Sequence, residues 1–208
     1  MPRYRNDENY FHPASPVVGV SWYEACACSY GIFTEYGPPF SMQEMPSCKS
    51  LLCEYEWSRA ALWDKDKRII YTYPWGDKLE KNNFTHHTNV KESALSQTSP
   101  VMSFPLGKSS AGCYDIVGNV FEWQCNIYGD NSSPVEMIEY DVWSENTGCK
   151  EKYISAVSGV DFNSSNLDCG SVDRYECLTV RKNNIGLRPA KVSTPNLQAQ
   201  KRRGIKLK

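Results

Sequence analysis

Residues Ala111 to Trp123 read Ala-Gly-Cys-Tyr-Asp-Ile-Val-Gly-Asn-Val-Phe-Glu-Trp, which combines a Gly-Asn turn with two carboxylates and a large aromatic side chain. Asp115 and Glu122 flank a backbone that must bend at Gly118-Asn119, and such a bend turns carbonyl oxygens inward. Because carboxylate and carbonyl oxygens are the ligands that Ca²⁺ prefers, the stretch is a candidate ion site. The alternative is a turn whose polar side chains cap their own backbone. Taken alone, the stretch favours this simpler interpretation.

Five further motifs accompany this stretch in a defined order along the chain. They read Pro-Val-Val-Gly-Val-Ser-Trp-Tyr-Glu-Ala at 16–25, Leu-Cys-Glu-Tyr-Glu-Trp-Ser-Arg-Ala-Ala at 52–61, Tyr-Pro-Trp-Gly-Asp at 73–77, Pro-Val at 100–101 and Asn-Asn-Ile-Gly-Leu-Arg at 183–188. Together the six motifs resemble the formylglycine-generating enzyme (sulfatase-modifying factor) family. The resemblance implies an α+β, C-type lectin-like fold of the formylglycine-generating-enzyme type with low regular secondary structure. It implies less about function, because the family holds oxidases, accessory domains and pure ligand-binding proteins.

Composition and charge limit the possible partners. The 208 residues suit one domain with a real core. A net charge of −1 gives no global attraction for nucleic acid or an anionic membrane. The start of the chain lacks the apolar segment of a signal peptide, and no run of about 18 apolar residues exists. We therefore expect no nucleic-acid partner, no membrane insertion and, by default, a cytoplasmic location.

The expected domain organisation has three parts. Residues 1–15 form an N-terminal extension, 16–190 a formylglycine-generating-enzyme-like domain, and 191–208 a basic tail, which we treat as solvated. By the resemblance, further strands normally precede the Val-Ser-Trp motif. A truncated domain start and an accessory domain of a longer protein are therefore both open.

Two helices are predicted from capping signals and apolar spacing. Ser21 and Glu24 form a capping box that starts a helix at about Trp22–Tyr30, ahead of Gly31. A second helix spans about Glu54–Leu62 and begins after Cys53, a poor capping residue. Short strands are expected at about 68–73, within 119–128, and at 153–157 and 185–188, with a turn at 74–77, an irregular insertion at 40–50 and an exposed loop at 131–150. Three tryptophans are expected to anchor long loops in the core: Trp57, Trp75 and Trp123.

Nine cysteines leave at least one free thiol in a monomer, because the number is odd. Their spacing lacks the paired Cys-x₂-Cys arrangement of a structural zinc site. In a cytosol we expect them to be reduced and to behave as small apolar residues.

The cysteines bear most directly on oxidase chemistry. By the resemblance, catalytic family members bind copper(I) with two thiolates that are separated by four residues. Cys169 is present here, but Ser164 stands at the first position, and a hydroxyl cannot replace a copper-binding thiolate. Cys177, eight residues beyond Cys169, is the alternative second thiol. The oxidase site is predicted to be incomplete, which leans against an enzyme. The alternative is a copper-dependent formylglycine-generating oxidase that acts on a sulfatase cysteine.

The segment from residue 161 to 181 has the composition of a recognition surface, rich in Asn, Ser, Asp and Tyr. Turn-forming preferences explain the same composition without a ligand. The stretch Arg181 to Arg188 also resembles the C-terminal end of variable proteins that retroelements diversify. On that resemblance we predict a protein or cell-surface ligand, leave the oligomeric state open, and name the candidate binding residues Asn163, Ser165, Asn166, Asp168, Asp173, Tyr175 and Thr179.

The calcium prediction also takes its ligand set from the resemblance. Asp115 and Glu122 supply carboxylates, and Gly118 and Val120 supply main-chain carbonyls. A second family site would start from Asn83-Phe84, but its remaining ligands have no clear counterpart in the sequence.

Overall fold

The computed structural model describes residues 2–10, 12–33, 51–77, 84–128, 154–165 and 173–190. In these ranges two α-helices, α1 (Trp22–Phe33) and α2 (Glu54–Leu62), precede six strands. The strands are β1 (Trp63–Asp64), β2 (Ile69–Ile70), β3 (Phe121–Tyr128), β4 (Ile154–Ser158), β5 (Asp173–Cys177) and β6 (Ile185–Gly186). Three single-turn 3₁₀ helices, at Phe84–His86, Lys91–Ser93 and Pro105–Gly107, lie between β2 and β3. This mixture of helices, short strands and long irregular connections confirms the predicted α+β class.

The central sheet has the strand order β5-β4-β3-β6. β4 pairs antiparallel with both β3 and β5, whereas β6 pairs parallel to the start of β3. In that parallel pair Phe121 lies opposite Ile185 and Glu122 opposite Gly186. The pairing brings the residues that follow β6 beside the acidic start of β3.

The first helix begins as predicted and ends later. The Ser21 amide donates to Glu24 Oε2 at 2.9 Å, and the Glu24 amide donates to Ser21 Oγ at 3.3 Å, which completes the capping box. The helix continues through Gly31 to Phe33, so the predicted end at Tyr30 is wrong by three residues. A glycine costs a helix only about 1 kcal/mol relative to alanine and does not by itself end it.

The second helix has the predicted bounds, and the amide groups at its N-terminus donate to one side chain of the helix and to one side chain of β3. Glu56 Oε2 accepts the Cys53 amide at 3.0 Å. Asn126 of β3 accepts the Glu54 amide on its Oδ1 at 2.9 Å. A side chain from the sheet therefore contributes what the Cys53 side chain lacks.

Buried aromatic residues organise two core clusters. The first joins α1 to the sheet and contains Trp22, Phe121, Trp123 and Ile185 among its fully buried members. The second, under α2, is built on Trp57 with Ile116, Val117 and Val160. Trp57 and Trp123 are buried as predicted, and Trp75 is half-buried.

Several short predictions are corrected by the backbone. Of the predicted strand at 68–73, only Ile69 and Ile70 form a strand, opposite Asp64 and Trp63, and Tyr73 forms an isolated bridge with Gly76. The turn that begins at Pro74 forms, with the Gly76 amide donating to the Tyr73 carbonyl at 2.9 Å. β5 was not predicted at all. The insertion at 40–50, the loop at 131–150 and the basic tail lie outside the described residues.

In the described ranges of the chain, every helix is too short or too polar to cross a bilayer.

Candidate functional site

The predicted bend at Gly118-Asn119 is present, and polar side chains hold it. Both residues have positive φ, 91° and 71°. Asn119 accepts the Ser99 amide at 2.9 Å and donates to the Ser99 carbonyl at 3.1 Å. A Cβ on Gly118 would lie 1.7 Å from Thr88 Oγ1, so only glycine fits there. The bend is therefore a rigid part of the fold.

Glu122, which follows this bend, is the centre of a buried ion pair. Its side chain is 5% exposed. Arg188 donates to both carboxylate oxygens, with Nη2 at 2.7 Å from Oε1 and Nε at 2.9 Å from Oε2. The Trp57 indole N–H adds a hydrogen bond to Oε2 at 2.8 Å. Arg188 also donates to the Tyr114 carbonyl at 2.9 Å, so the pair connects β3, α2 and the segment after β6.

Asp115 lies at the edge of this ion pair. Its Oδ2 accepts the Met102 amide at 2.6 Å. Burial raises the pKa of the Asp115 carboxyl and the Glu122 charge adds to the effect, while the Met102 amide and Arg188 oppose it. The Glu122 carboxylate in turn holds the pKa of Arg188 above its ordinary value. Arg188 is thus the cation that neutralises this acidic region.

The four predicted calcium ligands are near one another in sequence, but their contacts differ from those of an ion site. Both oxygens of Glu122 already accept hydrogen bonds from Arg188. The Gly118 carbonyl accepts the Val120 amide at 3.0 Å. As arranged, the set does not fit Ca²⁺, because its second carboxylate is committed to an internal cation. An ion at Asp115 and Glu122 would have to displace Arg188. The predicted calcium site is therefore untested, and we expect no calcium to bind while this ion pair is intact.

The second calcium site has even less support. Asn83 lies outside the described residues, and the Phe84 carbonyl accepts the His87 amide at 2.9 Å. In the described ranges, no group of three or more His, Cys, Asp or Glu side chains is placed to hold a metal.

Ser164, which stands at the predicted first thiolate position, is buried in a turn after β4. Its hydroxyl donates to Asp161 Oδ1, and its main-chain N–H donates to the Asp161 carbonyl at 3.1 Å. Asn184 donates to the other carboxylate oxygen of Asp161 at 2.7 Å. Ser164 and Asp161 are 6% and 2% exposed. The hydroxyl is therefore part of a closed polar network.

The remaining cysteines of that prediction are only partly described. Cys169 lies outside the described residues. Cys177, at the end of β5, is disulfide-bonded, and so it is not the reduced thiol that was expected. The five other cysteines in the described ranges are not in disulfides, namely Cys26, Cys28, Cys53, Cys113 and Cys125.

The predicted binding residues fall on three neighbouring segments. Asn163 is exposed on the turn after β4, and Ser165 donates to Glu92 Oε1 at 3.0 Å. Asp173 and Tyr175 lie on β5, opposite Ser158 and Ala156 of β4. Thr179 is exposed on the turn after β5. Two candidates, Asn166 and Asp168, lie outside the described residues. Pairing of β4 with β5 brings the turn after β4 close to the start of β5.

A groove of about 790 Å³ adjoins this surface at Thr179. Its lining comes from the N-terminal turn, the start of α1 and the turn after β5: Arg3, Ser21, Tyr23, Glu24, Thr179, Val180, Arg181 and Lys182. Arg181 Nη2 donates to Glu24 Oε1 at 2.8 Å across the groove. Burial of Glu24 acts to raise its pKa. Hydrogen bonds from Ser21 and the charge of Arg181 outweigh this effect of burial, so the pKa of Glu24 is lowered.

Sequence reasoning missed the groove and the role of Arg188. Arg188 belongs to a quoted motif, and its position after a strand facing an acidic stretch was a usable signal. No comparable signal existed for the groove, because Arg3, Glu24 and Arg181 are far apart in the sequence.

Comparisons with known proteins agree with the fold. The family model described as sulfatase-modifying factor enzyme 1-like domain matches residues 2–192. The chain is 36% identical over 110 residues to the serine/threonine-protein kinase Pkn1 of Chlamydia trachomatis, which covers 52% of this chain and 13% of the kinase.

Of two relatives from Bos taurus, one is named as an inactive protein and the other as an enzyme. The inactive C-alpha-formylglycine-generating enzyme 2 is 30% identical over 139 residues, covering 62% of this chain and 38% of the relative. The formylglycine-generating enzyme is 29% identical over 137 residues, covering 61% and 31%. The chain thus spans less than two fifths of the length of each of these relatives.

A solved structure supports the same fold. Treponema denticola variable protein 1 superposes with a TM-score of 0.55 at 18% identity, covering 84% of this chain and 70% of that protein. Identity this low shows the fold alone.

Proposed function

The chain belongs to the sulfatase-modifying factor enzyme 1-like domain family, and we propose that it is a non-catalytic, protein-binding member of that family. The proposed binding surface consists of the turn after β4, the strand β5 and the turn that follows it. Its candidate contact residues are Asn163, Ser165, Asn166, Asp168, Asp173, Tyr175 and Thr179. The proposed ligand is a protein.

The observation that carries this proposal is the state of Ser164. Copper(I) prefers soft sulfur ligands, and the residue at the predicted first ligand position carries a buried hydroxyl that donates to Asp161. Because Asp161 also bonds Asn184, rotating Ser164 toward a metal would leave a buried carboxylate with one partner fewer. The network stabilises the turn and disfavours a redox role.

The composition and placement of the surface support the binding part of the proposal. Asn, Ser, Asp and Tyr make adaptable contacts at a modest entropy cost. Tyr175 and Asp173 lie on a paired strand, which holds a contact residue more rigidly than a free loop does. The similarity to a solved variable protein agrees with this use of the fold, and diversification by a retroelement stays a prediction.

A display selection tests the proposal. Peptides are selected from a random phage-displayed library against the purified domain, and their affinities are then measured for Asn163→Ala, Tyr175→Ala and Thr179→Ala. We expect at least one selected family to lose about tenfold affinity with Tyr175→Ala, the cost of a typical aromatic contact residue. Tyr55→Ala on α2 is the matched control, because Tyr55 is an exposed tyrosine that does not belong to the proposed surface. Selected peptides that are indifferent to all three variants would refute the proposed surface.

The alternative function is a copper-dependent oxidase that converts a sulfatase cysteine to formylglycine. The chain is about as similar to the formylglycine-generating enzyme of Bos taurus as it is to the inactive counterpart of that enzyme, and this similarity supports the alternative. In this alternative Cys169 would hold copper, and the metal would supply the activation of oxygen.

A further inference from the structure

We propose that the groove beside Thr179 binds an acidic peptide segment of the partner protein. The inference rests on the proposed binding function, because it assigns a chemical class to part of the partner. Of the residues that line the groove, Thr179 is the one that also belongs to the candidate contact residues of the proposed binding surface.

Main-chain hydrogen bonds fix the three segments that build the groove. The Arg3 amide donates to the Gly19 carbonyl at 2.9 Å, and the Gly19 amide donates to the Lys182 carbonyl at 2.9 Å. The Trp22 amide, at the start of α1, donates to the Leu178 carbonyl at 3.0 Å. Gly19 permits this packing, because it has a φ of 71° and a Cβ there would lie 2.5 Å from the Tyr4 ring. The walls of the groove are therefore in place before any ligand arrives.

The charges of the lining favour an anionic occupant. Three cations, Arg3, Arg181 and Lys182, face a single lining carboxylate, Glu24. Lys182 pairs with Glu176, which lies outside the lining, at 2.5 Å. Even when Glu176 is counted, the cations remain in excess. Because the whole chain has a net charge of −1, this local excess is not a reflection of a basic protein.

The guanidinium groups retain donors for a ligand. In the part of the chain that the structure describes, no carboxylate lies within salt-bridge distance of Arg3, whose guanidinium lies over the Tyr4 ring. Arg181 uses one N–H on Glu24, and its side chain is 44% exposed. A guanidinium carries five N–H donors in a planar fork that matches a carboxylate. Two arginines with donors to spare can thus each take a carboxylate of the same peptide.

The neutral part of the lining favours a peptide over an isolated anion. Val180 and the half-buried Tyr23 ring give apolar surface, and the Ser21 and Thr179 side chains carry hydroxyls. A volume of about 790 Å³ accepts several residues of an extended chain. The N-terminus of α1 does not bind the ligand in this proposal, because Ser21 and Glu24 already cap it.

The probe that tests the proposal is a fluorescein-labelled peptide of alternating glutamate and serine, followed by fluorescence anisotropy at about 50 mM salt, where charges are weakly screened. A peptide with glutamine in place of glutamate is the neutral control. We expect the acidic peptide to bind and the neutral peptide to bind at least tenfold more weakly. A difference of about tenfold corresponds to the loss of one charge-assisted hydrogen bond.

Four variants locate the binding. Arg3→Gln and Arg181→Gln are each expected to weaken it about tenfold. Glu24→Gln removes the competing carboxylate and keeps its acceptor for the helix cap, so binding should become about threefold tighter. Arg59→Gln, an exposed arginine on α2, is the matched control and should leave affinity unchanged. Circular dichroism establishes that each variant is folded.

The proposal is overturned if the acidic peptide does not bind, or if Arg3→Gln and Arg181→Gln bind it like the Arg59→Gln control. A single-stranded oligonucleotide that binds more tightly than the peptide and responds to the same variants would also overturn it. Failure here leaves the proposed function standing when library-selected peptides still depend on Tyr175. Failure of both the selection and this assay removes the proposed function as well.

Discussion

The contacts of the buried Glu122 carboxylate distinguish an internal ion pair from a metal site. A sequence with two acids around a Gly-Asn bend suggests a metal site, yet Arg188 reaches the same carboxylate from beyond β6. A buried charge without a partner is costly, so the ion pair is strongly coupled to the fold. The parallel pairing of β6 with β3 is what makes this contact possible.

Replacement of Arg188 by methionine should be severely destabilising. It leaves Glu122 buried with the Trp57 indole as its remaining donor among these contacts, and we expect a loss of about 3–5 kcal/mol in the free energy of unfolding. Urea denaturation measures it. Lys182→Gln is the control, because the Lys182–Glu176 ion pair is exposed and its loss should cost no more than about 1 kcal/mol. Equal losses in the two variants would contradict the assignment of Arg188 as the resident cation.

Calcium gives a second test of the same residue. With Arg188 in place we expect added calcium to leave the melting temperature of the wild-type protein unchanged, since a ligand stabilises only the state that it binds. In Arg188→Met the carboxylates of Asp115 and Glu122 lose their cation, and calcium should restore part of the stability. A calcium-induced rise in the wild-type melting temperature would instead support the calcium site and show that Arg188 yields to the ion.

Glu24 links the stability of α1 to pH. Because its pKa is lowered in the folded protein, the ionised form contributes stability above the pKa of an unfolded glutamate, about 4.3. That contribution is lost as the pH falls through the lowered value. We expect Glu24→Gln to cost about 0.5 kcal/mol at pH 7 and nothing at strongly acidic pH, measured by urea unfolding, with exposed Glu8→Gln as the control. A difference that grows on acidification would contradict this sign.

The helices and strands differ in how far local sequence determines them. α2 has the predicted bounds because its apolar spacing is helical, and α1 begins where its capping box places it. β5 was missed, because its residues Asp-Arg-Tyr-Glu-Cys have the polar composition of a loop. Its strand conformation comes from pairing with β4, which no local pattern encodes.

Asn126 provides a test of such non-local support. It caps α2 from β3, while the Cys53 side chain is a weak acceptor. We expect Asn126→Ala to lower the free energy of unfolding by about 1 kcal/mol, the usual cost of a lost N-cap. Asn126→Asp keeps the acceptor and should retain most of the stability. If the two variants unfold alike in urea, Asn126 does not act as the cap.

For the molecule as a whole, ordered motifs predicted the fold, and single residues could not predict the site. Trp57, Trp75 and Trp123 were predicted to anchor long loops in the core, and of these Trp57 and Trp123 are buried and Trp75 is half-buried. Trp22, which was not among them, is also buried and donates to the Gln124 carbonyl at 2.8 Å. The groove was beyond prediction, since Arg3 and Arg181 meet only after the N-terminal turn packs on Gly19. The predicted contact residues were chosen by composition and by the resemblance to variable proteins, and neither distinguishes a turn from a ligand surface.

We propose that this family member binds a partner and does not oxidise a substrate. The most direct measurement incubates the copper-loaded protein with a sulfatase-type cysteine peptide in the presence of oxygen and a reductant, and follows formylglycine by mass spectrometry. We expect no product above a copper-only control, because the position of Ser164 offers no thiolate. Formylglycine that accumulates with turnover, and that disappears in Cys169→Ser, would show that the protein is an oxidase.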